Sequence, residues 1–499
     1  MSANLSVRVS QFLAIPVLLL ACAFAALAQN VPNHAQVVLK GTVTYAQNKT
    51  FIDVPFDVPA GVHRLTLDIR YTDHEKQTVL DTGVFDPYRF RGNSGSNKSH
   101  FTIGETDATP SFLPGAIPAG KWHLNLGVSN IRPEVISSYE VDIFFDRPID
   151  DQAFTDRALN GNQGWYRGDL HMHTAHSDGS CPNQSGQLVP CPVFVTAQAA
   201  AKRGLDFIAI SDHNSISQAD ALRELQPYFD RLLFIPAREI TTFAGHANLF
   251  GTIRFLDYRV GTADVPDVNV LARKARDLGG LLSISHPDAP GGEICRGCRW
   301  EPKPAVDMHL IPAVEVINGG DGEGFFPGLQ FWETQLAQGY RPTAIGGSDN
   351  HRPDEPPQKP GSVGSPTTVV HATELSMPAI LDGIRAGHVF IDLYGSTDRL
   401  LEMNASDSQG KAGMGDSLSA AADEDVKLSI HVEHCLSDRV QVLLDGQKPL
   451  ALDQPILMGP DLTVTTTWKS DGKRHWVLAE VQDLTGALYL LGNPVYINY

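Results

Sequence analysis

Basic residues are scarce in this chain of 499 residues, which has 39 Lys and Arg against 57 Asp and Glu. The formal net charge is −18 and the sequence pI is about 5.4. Proteins that bind nucleic acid usually have a basic surface. The composition therefore argues against a nucleic-acid surface. The Gly-x-Ser-x-Gly elbow of serine hydrolases is also missing from the sequence, which argues against that type of nucleophilic catalysis.

The N-terminal segment has an apolar core at residues 12–24, preceded by Arg8 and followed by an Ala-x-Ala site that ends at Ala28. This core is shorter than the roughly 20 residues that a membrane span needs, so an uncleaved helix is the less favoured alternative. The pattern predicts an export signal, residues 1–28, cleaved after Ala28. A sequence similar to a lipoprotein box ends at Cys22, so lipid attachment there stays open. We expect a periplasmic or secreted protein with no membrane span after signal removal.

Cysteines are few as well, with six in the chain. Loss of Cys22 with the signal leaves five, and in an oxidising compartment we predict a disulfide between Cys181 and Cys191. Cys295-x-x-Cys298 has neither the second pair of a zinc ribbon nor a thioredoxin-like βαβ setting. A local disulfide is therefore favoured there, with free thiols and a metal or redox role as alternatives.

The chain divides into three regions by its pattern of apolar residues. Short alternating runs separated by Gly, Pro, Asn and Ser predict an all-β domain at residues 29–155. Residues 165–395 alternate short apolar strands with helical stretches, which predicts parallel strands with crossover helices. The β pattern returns in a smaller C-terminal domain at residues 396–499. Helices are predicted at residues 193–202, 218–228, 268–277, 329–338 and 377–385.

The central region opens with a run of three histidines and two aspartates at residues 168–179. On a strand, side chains two residues apart point to the same face, so His171 and His173 can offer two imidazoles to one cation. Two imidazoles alone rarely hold a metal ion, which predicts that carboxylates and further histidines lie elsewhere in the chain. His176 is either another ligand or an outer neighbour.

Such residues follow short apolar strands at several later positions. A single histidine at such a position is more often a satisfied core residue than a ligand. A set of strands that each end in His, Asp or Glu is what a metal site at the mouth of an α/β barrel requires. The candidates are Asp178, Asp212, His213, Glu239, His246, His286, Asp349 and His351.

In order and residue type, this set resembles the polymerase and histidinol phosphatase (PHP) superfamily of metal-dependent hydrolases. It is similar in particular to an exported branch that includes carbaryl hydrolase-like enzymes. The resemblance covers about residues 165–395. It implies an α/β fold, a distorted TIM-like barrel of seven β/α units, which N-terminal and C-terminal β-sandwich-like domains would flank.

The resemblance also implies two or three divalent metal ions, with manganese, zinc or iron as the candidates. Glu239 would bridge two of the ions, and Glu239, Asp349 and Asp212 form the predicted catalytic set, with Asp212 as an outer neighbour or proton carrier. The implied ligands are His171, His173, Glu239 and Asp349 for one ion, His246 and His286 with Glu239 for the second, and Asp178, His213 and His351 for the third.

Water that bridges two such cations loses a proton near neutral pH, and the hydroxide attacks phosphorus or a carbonyl carbon. We therefore expect an exported metal-dependent hydrolase of small-molecule esters, with a phosphoesterase on a phosphorylated substrate favoured. A carboxylic or carbamic ester hydrolase and a non-catalytic ligand-binding module are the alternatives. Arg296 and Arg299, in the loop after His286, are candidates for binding an anionic group, and solvated loop charges are an equal alternative.

Overall fold

The computed structural model describes residues 34–155, 157–293, 295, 297–320, 325–357, 359–452 and 454–499. The expected export signal and Cys22 lie outside the described residues. Within the described part of the chain, no helix has the length and apolar character needed to cross a membrane.

The N-terminal region is built from eight antiparallel strands in two four-stranded sheets. Their orders are β1-β8-β3-β6 and β2-β7-β4-β5. The strands are β1 (Val37–Thr44), β2 (Phe51–Val58), β3 (Arg64–Tyr71), β4 (Val79–Phe85), β5 (Phe90–Asn93), β6 (His100–Gly104), β7 (Gly120–Asn130) and β8 (Ile136–Phe145). In β7 the buried residues Trp122, Leu124 and Leu126 alternate with more exposed ones, so one face of the strand enters the core that both sheets share.

A buried ion cluster joins this region to the central one. The carboxylate of Asp107 contacts the guanidinium groups of Arg64, on β3, and Arg223, which lies on a helix of the central region. The Ala108 N–H donates to Asp220 of that same helix at 2.9 Å. Burial alone would raise the pKa of Asp107, but the charges of Arg223 and Arg64 outweigh it and hold that pKa below its usual value.

The central region begins after the short helix α1 (Pro148–Gln152). Its strands are β9 (Gly164–Asp169), β10 (Ser180–Pro182), β11 (Leu188–Pro190), β12 (Phe207–Ile210), β13 (Leu233–Thr242), β14 (Gly245–Phe250), β15 (Leu281–Ile284), β16 (Ala313–Asn318), β17 (Phe326–Pro327), β18 (Thr343–Gly347), β19 (Thr367–Ala372) and β20 (Val389–Asp392). Its helices are α2 (Val193–Lys202), α3 (Gln218–Leu225), α4 (Val268–Asp277), α5 (Leu329–Ala337) and α6 (Met377–Ala386).

All five predicted helices are present. The largest difference is in α3, which ends at Leu225 rather than at residue 228. Pro227 follows two residues later and has no backbone N–H to continue the helical hydrogen bonds. Three short 3-10 helices lie at Tyr45–Gln47, His74–Lys76 and Met308–Leu310.

The strand arrangement of the central region differs from the expected barrel of seven β/α units. β13 and β14 form an antiparallel hairpin, β14 pairs antiparallel with β15, and β19 pairs antiparallel with β9. The tight turn at Phe243 to Gly245 sends the chain straight back, and antiparallel neighbours need no crossover helix. Strands outnumber helices throughout the described residues. The described residues therefore do not show a regular alternation of seven strands and seven helices.

Six strands nevertheless run in one direction. β9, β12 and β13 are parallel, β15, β16 and β18 are parallel, and the antiparallel β14 between β13 and β15 keeps both sets pointing the same way. Their carboxyl ends therefore share one edge, where the amino end of β14 also lies. This edge is the place to which the candidate ligands are brought.

The C-terminal strands fall into two groups. A four-stranded antiparallel sheet has the order β22-β21-β24-β27, whereas β29, β28, β25 and β26 continue the central sheet outward from β20. The strands are β21 (Leu400–Ser406), β22 (Lys411–Gly413), β23 (Ser417–Leu418), β24 (Asp425–Glu433), β25 (Arg439–Leu444), β26 (Lys448–Pro449), β27 (Asp461–Lys469), β28 (His475–Gln482), β29 (Leu488–Gly492) and β30 (Val495–Ile497). A shared core contains Val369 and Phe390 from the central region beside Leu401 and Val477.

Candidate metal centre

The His-x-His segment leaves the sheet at the end of β9, and Asp169 holds the bend. Its buried carboxylate accepts hydrogen bonds from the backbone N–H groups of His171 at 3.2 Å, Ser348 at 3.0 Å and Gly364 at 2.7 Å. Burial raises the pKa of Asp169 to about 6 against these hydrogen bonds. The carboxylate thereby ties the end of β9 to the loops that follow β18.

Glu239, near the end of β13, lies at the centre of the cluster. Its Oε1 is 3.1 Å from His246 Nδ1, 3.1 Å from His286 Nε2 and 3.5 Å from His171 Nε2. Its Oε2 is 2.8 Å from His213 Nδ1 and 3.7 Å from His173 Nε2. Burial opposes ionisation, but the charge and hydrogen bonding of the surrounding imidazoles, His171 first, hold the pKa of Glu239 well below its usual value.

Asp349 closes the cluster from the end of β18. Its Oδ1 is 3.0 Å from His173 Nε2 and 3.4 Å from His171 Nε2. The backbone φ angles of Asp349 and His286 are +53° and +30°, values that residues other than glycine rarely adopt. Such strained conformations persist where the surroundings fix them and are concentrated at functional sites.

A more open group lies beside this buried one. Asp178 Oδ1 is 3.3 Å from His351 Nε2, and its Oδ2 is 3.8 Å from His213 Nε2. Despite the opposing effect of burial, the hydrogen bond that His351 donates to Asp178 and the charge of nearby carboxylates raise the pKa of His351 to about 9. Burial, together with the neighbouring charge of His351, lowers the pKa of His173 to about 4, so His173 is neutral at pH 7 and keeps a lone pair for a cation.

The structure brings all nine predicted metal ligands together. Their ligand atoms fall into several groups, and the atoms within each group lie within 4.8 Å of one another. One group also includes Cys298, which was not among the predicted ligands. The groups are His171, His173 and Glu239; His171, His286 and Asp349; His173, Asp178, His213 and His351; and His246, His286 and Cys298.

Three buried imidazole nitrogens in the cluster test whether these residues fit divalent cations. His171 Nε2, His246 Nε2 and His286 Nδ1 have no hydrogen-bond partner. Each such atom costs about 1–3 kcal/mol when it is left unsatisfied. Mixed imidazole and carboxylate sets suit manganese, iron and zinc, and a cation among these atoms satisfies them, so the residues fit the metal ions that the resemblance implies.

Asp212 has a different environment from the ligand candidates. Its carboxylate accepts hydrogen bonds from Thr174 N–H at 2.7 Å, from the Thr174 hydroxyl at 2.7 Å and from the Ser177 hydroxyl at 2.6 Å. These contacts hold the loop that follows His173. His176 Nδ1 lies 2.7 Å from the Ser217 hydroxyl, on the exposed side of the same loop.

Sequence reasoning missed Glu315, which lies buried on β16. Its Oε1 is 3.0 Å from His171 Nδ1, and its Oε2 accepts hydrogen bonds from the His286 backbone N–H and from Asn318 Nδ2, both at 3.0 Å. The contact to Nδ1 fixes the ring of His171 and leaves its Nε2 facing Glu239 and Asp349. An acid within an otherwise apolar strand was the available signal.

The cysteine predictions can be compared directly with the structure. The predicted bond between Cys181 and Cys191 is confirmed, and Cys295 and Cys298 are also joined. Cys435 is a buried free cysteine.

A cavity of about 720 Å³ lies between the β13–β14 turn and the loop that follows His286, and none of its lining residues is a candidate ligand. Phe243, in the turn between β13 and β14, is 97% exposed at its edge. Arg299 lies on the opposite loop, and Arg296 lies outside the described residues. The other lining residues are Pro290, Gly291, Gly292, Gly297 and Glu301. The cavity thus combines one exposed aromatic ring with one cationic side chain, Arg299, and one acidic side chain, Glu301.

Comparisons with known proteins found no matching family model and no matching curated protein. Among solved structures, the chain is similar to a two-domain protein from Bacteroides vulgatus that is described as containing a predicted PHP-like metal-dependent phosphoesterase. The sequence identity is 19%, the TM-score is 0.37, and the match covers 70% of this chain and 98% of that one. A likeness at this level assigns neither fold nor activity to the present chain.

Proposed function

We propose that this protein is a divalent-metal-dependent hydrolase of the PHP type. The observation that carries the proposal is Glu239, buried against five imidazoles, with unsatisfied ligand atoms facing the same space. The proposed ligands are His171, His173, Asp178, His213, Glu239, His246, His286, Asp349 and His351.

Divalent cations in such a set supply Lewis acidity and lower the pKa of water towards neutrality. The side chains prepare the site for them. Glu315 accepts the Nδ1 proton of His171, so the Nε2 lone pair points inward. Asp212 holds the loop after His173 through Thr174. Glu239 and Asp349 provide the negative charge that reduces repulsion between neighbouring cations.

For the substrate, we propose a small phosphoester. Arg299, which lines the cavity in the loop that follows His286, supports an anionic group, because a guanidinium binds phosphate oxygens well. The exposed ring of Phe243 favours a second candidate, an aromatic carboxylic or carbamic ester, which would pack against that ring. Both candidates use the same cluster and differ only in which side of the cavity holds the substrate.

The test combines metal analysis with a hydrolysis panel of phosphomonoesters, phosphodiesters and aryl carbamates. We expect two or three divalent ions per chain, activity that a chelator abolishes, and a preference for phosphoesters. Glu239→Gln should lose metal as well as turnover, since an amide replaces the central carboxylate. Glu224→Gln, an exposed change on α3, is the matched control. Less than one metal ion per chain after loading with manganese and with zinc, or full metal content and activity in Glu239→Gln, contradicts the proposal.

We also propose that the protein is exported. The disulfide between Cys181 and Cys191 supports this location, because such bonds persist in oxidising compartments. Mass spectrometry of the mature protein tests it. A chain that starts at Gln29 is expected, a lipid-modified Cys22 would indicate the lipoprotein route, and an intact N-terminus on protein recovered from the cytoplasm would contradict export.

A further inference from the structure

Cys298 is part of the cluster although no ligand role was expected for it. Its Sγ and one ring nitrogen each of His246 and His286 lie within 4.8 Å of one another. All three residues are only 4% exposed, whereas the bonded neighbour Cys295 is half-buried. One thiolate with two imidazoles is a donor set that zinc, cobalt and iron accept.

The loop that carries Cys298 is held against both histidine segments by its backbone. The Trp300 N–H donates to the Pro287 carbonyl at 3.1 Å, next to His286, and the Glu301 N–H donates to the Ala244 carbonyl at 2.9 Å, two residues before His246. These bonds hold the chain just after Cys298 against both histidine segments, and neither of them involves Cys295.

Two glycines make this close approach feasible. A Cβ on Gly297 would lie 2.3 Å from the Thr242 carbonyl oxygen, and a Cβ on Gly245 would lie 2.3 Å from the Trp300 ring. Both glycines also have positive φ angles, +84° and +137°. The loop therefore packs on the β13–β14 turn with no room for a side chain at either position.

We propose that Cys298 is an additional metal ligand, which binds a divalent cation together with His246 and His286 once its bond to Cys295 is reduced. The inference rests on the proposed metal centre. In the oxidised pair, Sγ of Cys298 is bonded to sulfur and is a poor donor. In the reduced pair, it is a thiolate ligand with strong preference for soft and borderline cations. The cysteine pair thus controls which cation the His246 and His286 side of the centre holds.

The redox step is a thiol–disulfide exchange with an external dithiol reductant. The reductant loses two S–H bonds and gains one S–S bond, while the Cys295–Cys298 bond becomes two thiols. When the cation binds, the Sγ proton of Cys298 passes to water. No other oxidant or reductant is needed.

Cobalt(II) provides a test that does not depend on activity, because a cobalt–thiolate bond has a charge-transfer band in the near ultraviolet. The full chain, either oxidised or reduced with a dithiol that is then removed under nitrogen, is loaded with cobalt, and its spectrum and cobalt content are measured. Wild type should show the band only after reduction. Cys295→Ser should show it without reductant, because its Cys298 is always free. Cys298→Ser should show it in neither state, and it retains Cys181, Cys191, Cys295 and Cys435 as an internal control for other thiols.

Zinc and manganese competition gives the second measurement. Reduced wild type and Cys295→Ser should select zinc over manganese at least tenfold more strongly than Cys298→Ser does. Cobalt bound by Cys295→Ser without the band overturns the role of Cys298 and leaves the metal centre standing. Cobalt bound by none of the three proteins overturns the proposed function together with this inference.

Discussion

Glu315→Gln tests the proposed centre without touching a ligand. The carboxylate of Glu315 faces His171 Nδ1 on one side and accepts hydrogen bonds from the His286 N–H and Asn318 Nδ2 on the other. Glutamine has the same shape but only one acceptor oxygen. The His286 N–H and Asn318 Nδ2 groups keep their hydrogen bonds to that oxygen, so the new NH₂ group faces His171 Nδ1.

The consequence is a change of tautomer. With an N–H group opposite Nδ1, His171 must accept there and carry its proton on Nε2, the nitrogen that faces Glu239 and Asp349. A protonated Nε2 has no lone pair for a cation. Loss of an outer partner of a ligating histidine lowers metal affinity by about 10–100-fold, which corresponds to about 1.4–2.7 kcal/mol.

Chelator competition with zinc and with manganese measures this affinity. Glu480→Gln, a change at another buried glutamate that accepts a hydrogen bond from Gln482, is the matched control and should bind metal like wild type. The unfolding temperature of metal-free Glu315→Gln should stay close to that of wild type because its hydrogen bonds are all retained. Wild-type metal affinity in Glu315→Gln would refute the orienting role of this residue.

Three further changes have distinct expected results. Asp212→Asn keeps an acceptor for the Thr174 N–H but turns an N–H group towards its hydroxyl, so turnover should fall about tenfold while metal content by mass spectrometry stays intact. Arg299→Ala should raise KM for phosphoesters about tenfold with little change in kcat, and should leave carbamate KM unchanged. Asp107→Asn should lower the free energy of unfolding in urea by about 3–5 kcal/mol at pH 7, because it removes the buried carboxylate that Arg64 and Arg223 both contact. Since the folded pKa of Asp107 is lowered, this stabilisation is present above the unfolded pKa of about 3.9 and is lost as pH falls below it, so the difference between the two proteins should shrink at pH 3.

The ligand candidates were predictable because metal chemistry restricts residue types and the chain places them at strand ends. His171 and His173 were named from the alternation of a strand, but both lie just beyond the end of β9 at Asp169, where Met172 forms an isolated bridge with Asn350. Glu315 was not predictable by that route, because its role depends on His171, which lies 144 positions away in the sequence. Its pairing exists only after β9 and β16 are placed at the same edge of the sheet.

The departures of the fold from the expected barrel also have local causes. The sequence of β13 has the pattern of a continuous buried strand. In the sequence, only Gly245 indicates the turn that follows, and its φ of +137° in the structure suits a sharp reversal. The antiparallel β14 therefore replaces a helix and a parallel strand. The helices were predictable because their periodic apolar faces and their ends, such as the Ser376 cap of α6, are local features.

The ladder between β20 and β29 has a consequence for how the molecule is made. Phe390, Ile391 and Asp392 pair with residues that are synthesised about a hundred positions later. While the chain is still growing, the β20 edge has unpaired backbone groups, which favour aggregation. The sheet that supports the cluster is complete only once β29 has been synthesised, so stable metal uptake should follow synthesis of that strand. A shortened chain that ends at residue 395 should associate through the open edge of β20.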